Sequence, residues 1–252
     1  MKKTVEEICA VIDACSETEQ RAILSHIRKR FSLHPLESEW DINAETILSA
    51  INRSSDLTLR GIRGIIAEAT FADFVVPTLA SIWDVRPIEG DQPYDFFLKN
   101  RNSRMKLRIQ VKLQRREKQE PKKASNNLRR PLTNPPEILY VVEVQRTRTG
   151  KRAVKSAAGQ VNGETTLEVE QTRPYRFGEF DILAVNMHPS TKDWRRFMYT
   201  VGNWLLPRAE PLQNLIQIMQ PVAAASDRYW TDDIDECIDW FLSQEKRRLY
   251  DR

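Results

Sequence analysis

The chain has 252 residues, 40% of them hydrophobic and 29% charged, with a formal net charge of +4. It is long enough to bury a full core, and its composition is that of a soluble globular protein rather than a disordered or fibrous one. No apolar run approaches the ~18 residues of a membrane span, Glu6 and Glu7 after Lys2 and Lys3 argue against an export signal, and three scattered cysteines (Cys9, Cys15, Cys237) exclude a disulfide scaffold or zinc spacing and fit a reducing cytoplasm.

Residues 1–55 read as a helical N-terminal region without chemistry. Thr4 with Glu7, and Ser16 with Glu19, each form a capping box opening a helix. The second helix carries Ala22, Ile23, Ile27 and Arg30. Residues 31–43, with Pro35, are a connector, and residues 44–51 another short helix. His26 and His34 are isolated, which predicts surface or packing roles.

Asp56 is expected to cap a stronger helix over residues 57–76, with Leu59, Ile62, Ile66, Ala69 and Val76 on its apolar stripe. Gly61 and Gly64 suggest a close approach to a sheet, and Pro77 should end or kink the helix. Glu68 sits among Ile65, Ile66, Ala67 and Ala69, a costly place for a carboxylate unless it meets a cation or metal.

Residues 93–113 are expected to form a β-hairpin that turns around Asn100, Arg101, Asn102 and Ser103. On its return strand Met105, Leu107, Ile109, Val111 and Leu113 face one way, and Lys106, Arg108, Gln110 and Lys112 the other. The hairpin brings Asp95, at the start of the first strand, beside Gln110 and Lys112. A carboxylate, an amide oxygen and an ammonium on one sheet edge suit a divalent metal and a phosphate.

The following polar, basic stretch, residues 114–136, reads as a mobile loop ordered by a polyanion. Residues 138–145 are apolar on both faces, which predicts a central strand. Asn162-Gly163 is a hairpin signal. Residues 180–186 read as a second buried strand, paired with residues 196–201 across a loop holding His188 and Pro189. Residues 212–219 and 233–249 are expected to be helices. The second presents Ile234, Cys237, Ile238, Phe241 and Leu242 on one stripe and ends on Lys246, Arg247 and Arg248, where the helix dipole favours cations.

Charge is unevenly spread. Residues 101–155 hold 17 Lys and Arg against 4 Asp and Glu, a local net of +13, while the remaining 22 basic and 31 acidic residues leave −9. A basic block beginning on the candidate site is the footprint of a polyphosphate partner.

In this order of elements the chain resembles the PD-(D/E)XK nuclease superfamily. Pro93, Tyr94 and Asp95 resemble its first half-motif. Gln110, Val111 and Lys112 resemble the second, in its QXK form, with 14 residues between Asp95 and Gln110. Glu68 resembles the acidic residue that many members carry on the helix before the sheet. The resemblance covers about residues 56–145. It implies an α/β (α+β) fold, a restriction-endonuclease-like mixed β-sheet flanked by helices with helical additions at both ends: residues 1–55, a core over 56–206 with inserted basic loops, and helices over 207–252.

It further implies a Mg²⁺-dependent endonuclease of double-stranded DNA, most simply a type II restriction enzyme with a cognate DNA methyltransferase. Asp95, Gln110 and Glu68 would be metal ligands and Lys112 would act on the water or the developing charge. The glutamine departs from the usual acidic residue and leaves the number of ions open. Arg115, Arg116, Lys122, Lys123, Asn126, Asn127, Arg129, Arg130, Arg146 and Arg148 are the DNA-binding candidates, reading bases or phosphates. A structure-specific repair or recombination nuclease, an inactive DNA-binding module and a basic RNA-binding protein stand as alternatives, and a homodimer is an open option.

Overall fold

The computed structural model describes residues 4–28, 30–31, 34–129, 132–145 and 174–250. The chain divides into two compact units, residues 1–61 and 62–252.

The first unit is helical, as its capping signals predict. Helix α1 (Val5–Asp13) opens on the Thr4/Glu7 capping box, and α2 (Glu17–Arg28) on the reciprocal bonds of Ser16 and Glu19. The expected connector holds a further short helix, α3 (Pro35–Glu39), because Pro35 suits its first turn and His34 caps it, Nδ1 accepting from the Leu36 N–H. Helix α4 (Ala44–Asn52) follows, capped by Asn43.

Helix α5 (Asp56–Thr70) is capped by the Ser55 hydroxyl, which accepts from the Thr58 N–H, rather than by Asp56. It runs through a π-helical turn (Phe71–Val75) into α6 (Val76–Leu79), so Pro77 sits harmlessly in a first turn. The buried apolar residues differ from the expected stripe: they are Ala67, Phe71, Val75 and Leu79, while Ile66 is exposed. Strict i+4 spacing drifts by about 40° per step on a 3.6-residue helix, and the wider π turn absorbs part of that drift. Gly61 and Gly64 adjoin open space, so neither permits a close approach.

The central sheet has five strands in the order β1-β2-β3-β7-β8: β1 (Trp83–Arg86), β2 (Phe96–Asn100), β3 (Lys106–Leu113), β7 (Ile182–Asn186) and β8 (Phe197–Val201). The β3–β7 pair is parallel and the others antiparallel. The expected hairpin and the 180–186/196–201 pair are both present, and the mixed sheet with helices is the expected fold class. One face meets the helices. Leu98, Leu107, Ile109, Val111, Ile182, Ala184, Phe197 and Tyr199 pack there with Phe71, Val75, Leu79 and with Ile234, Cys237 and Ile238 of α9 (Ile234–Leu242). Each fully buried Leu or Ile contributes about 2 kcal/mol of transfer free energy.

The other face, with Leu183, Val185 and Met198, packs on a separate two-stranded sheet, β6 (Leu139–Glu143) against β9 (Met219–Ala223). Residues 138–145 are therefore a buried strand but not a central one. Their two apolar faces reflect burial between layers. The expected helix over 212–219 is absent. Its end enters β9, where main-chain pairing with β6 outweighs helical periodicity. Helix α9 stops at Leu242, and a left-handed Gln244 (φ 54°) carries Lys246, Arg247 and Arg248 off the helix. At Gly202 a Cβ would lie 2.7 Å from the Phe180 carbonyl oxygen, so only glycine fits there.

The described residues of the basic stretch after β3 carry regular structure where a loop is expected. It forms a tight hairpin, β4 (Arg116–Glu117) with β5 (Glu120–Pro121), then helix α7 (Asn126–Arg129), and it is laced to β6 by main-chain hydrogen bonds such as Arg115 N–H to Val141 O at 2.8 Å and Ala124 N–H to Leu139 O at 2.8 Å. Short helix α8 (His188–Thr191) follows β7. The Asn162-Gly163 hairpin signal lies outside the described residues.

Candidate active site

The site is built on the β2–β3 hairpin. Antiparallel register places Phe96 opposite Ile109, so Asp95, one residue before β2, faces Gln110. The Asp95 N–H donates to the Ile109 carbonyl at 2.9 Å, and there the β2 ladder ends. From that point the Asp95 side chain replaces the main chain: its Oδ2 accepts the Val111 N–H at 2.8 Å. The same oxygen accepts the Gln110 side-chain amide at 2.5 Å. Asp95 Oδ1 carries no hydrogen bond among the described residues, which leaves it available to a ligand.

Gln110 is buried, 1% exposed, and its amide also donates to the Val111 carbonyl at 3.2 Å. It therefore serves Asp95 as a donor, where the sequence reading had its carbonyl beside the carboxylate as a metal ligand. Lys112 lies two residues on, on the same face and half-buried, with Nζ 5.7 Å from the centre of the Tyr175 ring. Tyr175 itself is buried and packs edge-on against Phe180.

Glu68, half-buried on α5, joins this group electrostatically. Burial pushes its pKa up to about 7, the negative charge of Asp95 adds to the rise, and Lys112 opposes it. The Asp95 pKa is also raised, by burial first, while Lys112 and the Val111 N–H pull the other way. Two carboxylates and one ammonium thus share a partly desolvated edge. Lost hydration holds both carboxylates above their usual range, the Asp95 charge adds to the rise at Glu68 alone, and the single ammonium does not offset these effects. The anionic donors of this set are carboxylate oxygens, the kind a hard divalent cation takes, and binding one would favour their ionised forms.

A second polar linkage fixes the frame. Asp181, 8% exposed and at the start of β7, receives Arg108 bidentately, Nη2 on Oδ1 at 2.7 Å and Nε on Oδ2 at 3.0 Å, and also accepts the Arg108 N–H at 2.8 Å. This joins β3 to β7 two residues from Gln110. Past the carboxyl ends of these parallel strands, His188 stacks on Trp194 with ring centroids 4.0 Å apart, and the His188 main-chain N–H donates to Asn186 Oδ1 at 3.0 Å.

The basic candidates divide. Arg115 pairs with Glu143, Lys122 with Glu117 at 3.2 Å, Arg116 donates to Gln119, and Arg129 holds the Pro136 carbonyl at 2.9 Å. These side chains brace the β4–β5 and α7 region internally. Lys123, Asn126 and Asn127 are exposed. Arg130, Arg146 and Arg148 lie outside the described residues. Sequence reasoning missed Tyr175 and the Arg108–Asp181 pair. The Tyr175 partnership had no local signal, and the pair joins residues 73 apart.

No family description and no curated protein matches the chain. Among solved structures, a bacterial homing endonuclease aligns with 73% of this chain and 93% of its own, at 18% identity and a TM-score of 0.37.

Proposed function

We propose that the protein is a Mg²⁺-dependent endonuclease of double-stranded DNA, most simply a sequence-specific enzyme of the type II restriction kind. The observation that carries this reading is the Asp95 carboxylate held by the Gln110 amide and the Val111 N–H at the edge of β3, with Lys112 two residues on from Gln110 along the same face. Asp95, through Oδ1, and Glu68 would hold the metal. Gln110 and the Val111 N–H keep the Asp95 carboxylate in a fixed orientation by occupying Oδ2. When bound, the metal neutralises the scissile phosphate and acidifies a water.

Lys112 then has two uses. Its ammonium orients the attacking water by hydrogen bonding, and it opposes the negative charge that builds on the phosphoryl oxygens. Its half-burial beside the Tyr175 ring strengthens both effects by lowering the local dielectric. The exposed Lys123, Asn126 and Asn127 are the described candidates for groove or backbone contact. A methyltransferase protecting the same DNA site would be the natural partner of such an enzyme.

The test is incubation of the purified protein with plasmid DNA in Mg²⁺ and in EDTA. Discrete fragments in Mg²⁺ alone support the reading. Cutting confined to branched DNA would shift it to a structure-specific nuclease, and intact DNA at high enzyme concentration would sink it.

A further inference from the structure

The basic run Lys246-Arg247-Arg248 has no part in the site described above, and the structure gives it a different setting from a helix end. With Arg228, Tyr229 and Glu245 these residues line a cavity of about 670 Å³. Four of its six lining residues are cationic and one is a carboxylate, and that carboxylate, Glu245, is already paired with Arg247.

The three arginines lie against aromatic rings and make few hydrogen bonds, while Lys246 is exposed. The Arg247 guanidinium lies 4.8 Å from the Trp204 ring centre and 5.7 Å from that of Trp240, and Nη1 donates to the Arg228 carbonyl at 2.5 Å. Arg248 lies 5.1 Å from the Phe177 ring and donates to the Leu205 carbonyl at 3.0 Å. Arg228 lies 4.6 Å from the Tyr229 ring and donates to its hydroxyl. A guanidinium has five N–H donors, so each keeps several unspent among the described residues. The nearby aromatic rings and the hydrogen bonds already made restrict these side chains, which lowers the entropy lost on binding an anion.

The chemistry of the lining selects the ligand class. Small-molecule sites are mostly apolar with a few polar groups, whereas this one is nearly all ionic. Such a lining suits a phosphate, which takes bidentate bonds from guanidinium. The cavity also connects to the candidate active site through one loop: Tyr175 packs under Lys112, and Phe177, two residues on, packs under Arg248.

We propose that this cavity is a second phosphate-binding site, which grips the DNA backbone outside the cleavage point. The assignment to DNA rests on the function proposed above.

The test is duplex DNA binding in EDTA, measured by fluorescence anisotropy over a range of salt, for wild type and for Arg228→Gln combined with Lys246→Gln. If both side chains meet phosphates, the slope of log K against log[salt] should flatten by roughly 2 in the variant, with its melting unchanged. Lys246→Arg should keep the wild-type slope. Should the double variant fold poorly, Lys246→Gln alone, at an exposed side chain, should flatten the slope by about 1. An unchanged slope in a folded variant overturns the proposal. Protection from thermal unfolding by pyrophosphate that the variant loses, with an unchanged DNA slope, would make this a pocket for a soluble polyphosphate and overturn the backbone assignment. A flattened slope in a protein that cuts no DNA in Mg²⁺ would keep the pocket and overturn the nuclease reading instead.

Discussion

The Gln110 amide donates to Asp95 Oδ2 at 2.5 Å, on the oxygen that also takes the Val111 N–H. This makes Gln110 the group that sets which Asp95 oxygen stays open. Gln110→Ala should cost about 1–3 kcal/mol of stability, the range for leaving a buried partner unsatisfied, measurable as a urea midpoint shift. Gln110→Glu should behave differently. A second carboxylate against Asp95 should lower the melting temperature in EDTA, and Mg²⁺ should restore it more than in wild type. Equal melting of both variants with and without Mg²⁺ would show that residue 110 does not influence the metal.

Asp95→Ala and Lys112→Ala separate holding the metal from acting on the reaction. Asp95→Ala should abolish plasmid cleavage. Lys112→Ala should lower the single-turnover rate by about 10²–10³-fold, the usual effect of removing one charge-stabilising donor. DNA affinity should stay within a few-fold of wild type for both, because neither supplies the main backbone contacts. Wild-type cleavage by either variant would remove that residue from the site.

Glu68 predicts a pH dependence whose sign follows from its raised pKa. The folded protein holds the Glu68 proton up to about pH 7, whereas the unfolded chain loses it near 4.5. Between these values the native state binds more protons, so stability falls as pH rises. Asp95, also raised, acts in the same direction. In EDTA the melting temperature should therefore drop from pH 5 towards pH 7.5. Glu68→Gln should reduce the drop, and Mg²⁺ should do so in wild type by favouring the ionised carboxylates. A melting profile in EDTA unaltered by Glu68→Gln would contradict the placement of Glu68 in this group.

Arg108 and Asp181 should matter for stability ahead of chemistry. Asp181→Ala strands a guanidinium and an N–H, at a cost of about 3 kcal/mol, the low end for a broken buried pair because a third of the Arg108 side chain stays in water. Arg108→Met combined with Asp181→Leu should recover much of that loss. Chemical denaturation of the three proteins decides it, and a double variant as unstable as the single one would show that the pair also orders β7 by its geometry.

The sequence alone determined the parts whose information is local. The alternation along residues 105–113 gave β3 its two faces, and antiparallel pairing across one short turn was enough to bring Asp95 to Gln110 and Lys112. The apolar runs at 180–186 and 196–201 likewise specified β7 and β8, and the capping boxes at Thr4 and Ser16 specified two helix starts.

Tertiary structure decided whatever depends on partners distant in sequence. An apolar strand such as Leu139–Glu143 announces burial but not which layer buries it. The polar composition of residues 114–129 hid a segment ordered by main-chain bonds to β6, because backbone donors and acceptors are the same in every sequence. The orientation of the Gln110 amide, the coupling of Glu68 to Asp95, the Tyr175 ring beside Lys112 and the cationic cavity around Arg247 all arise where separate elements meet. Charge, burial and hydrogen bonding there are properties of the assembled neighbourhood, which no single stretch of the chain contains.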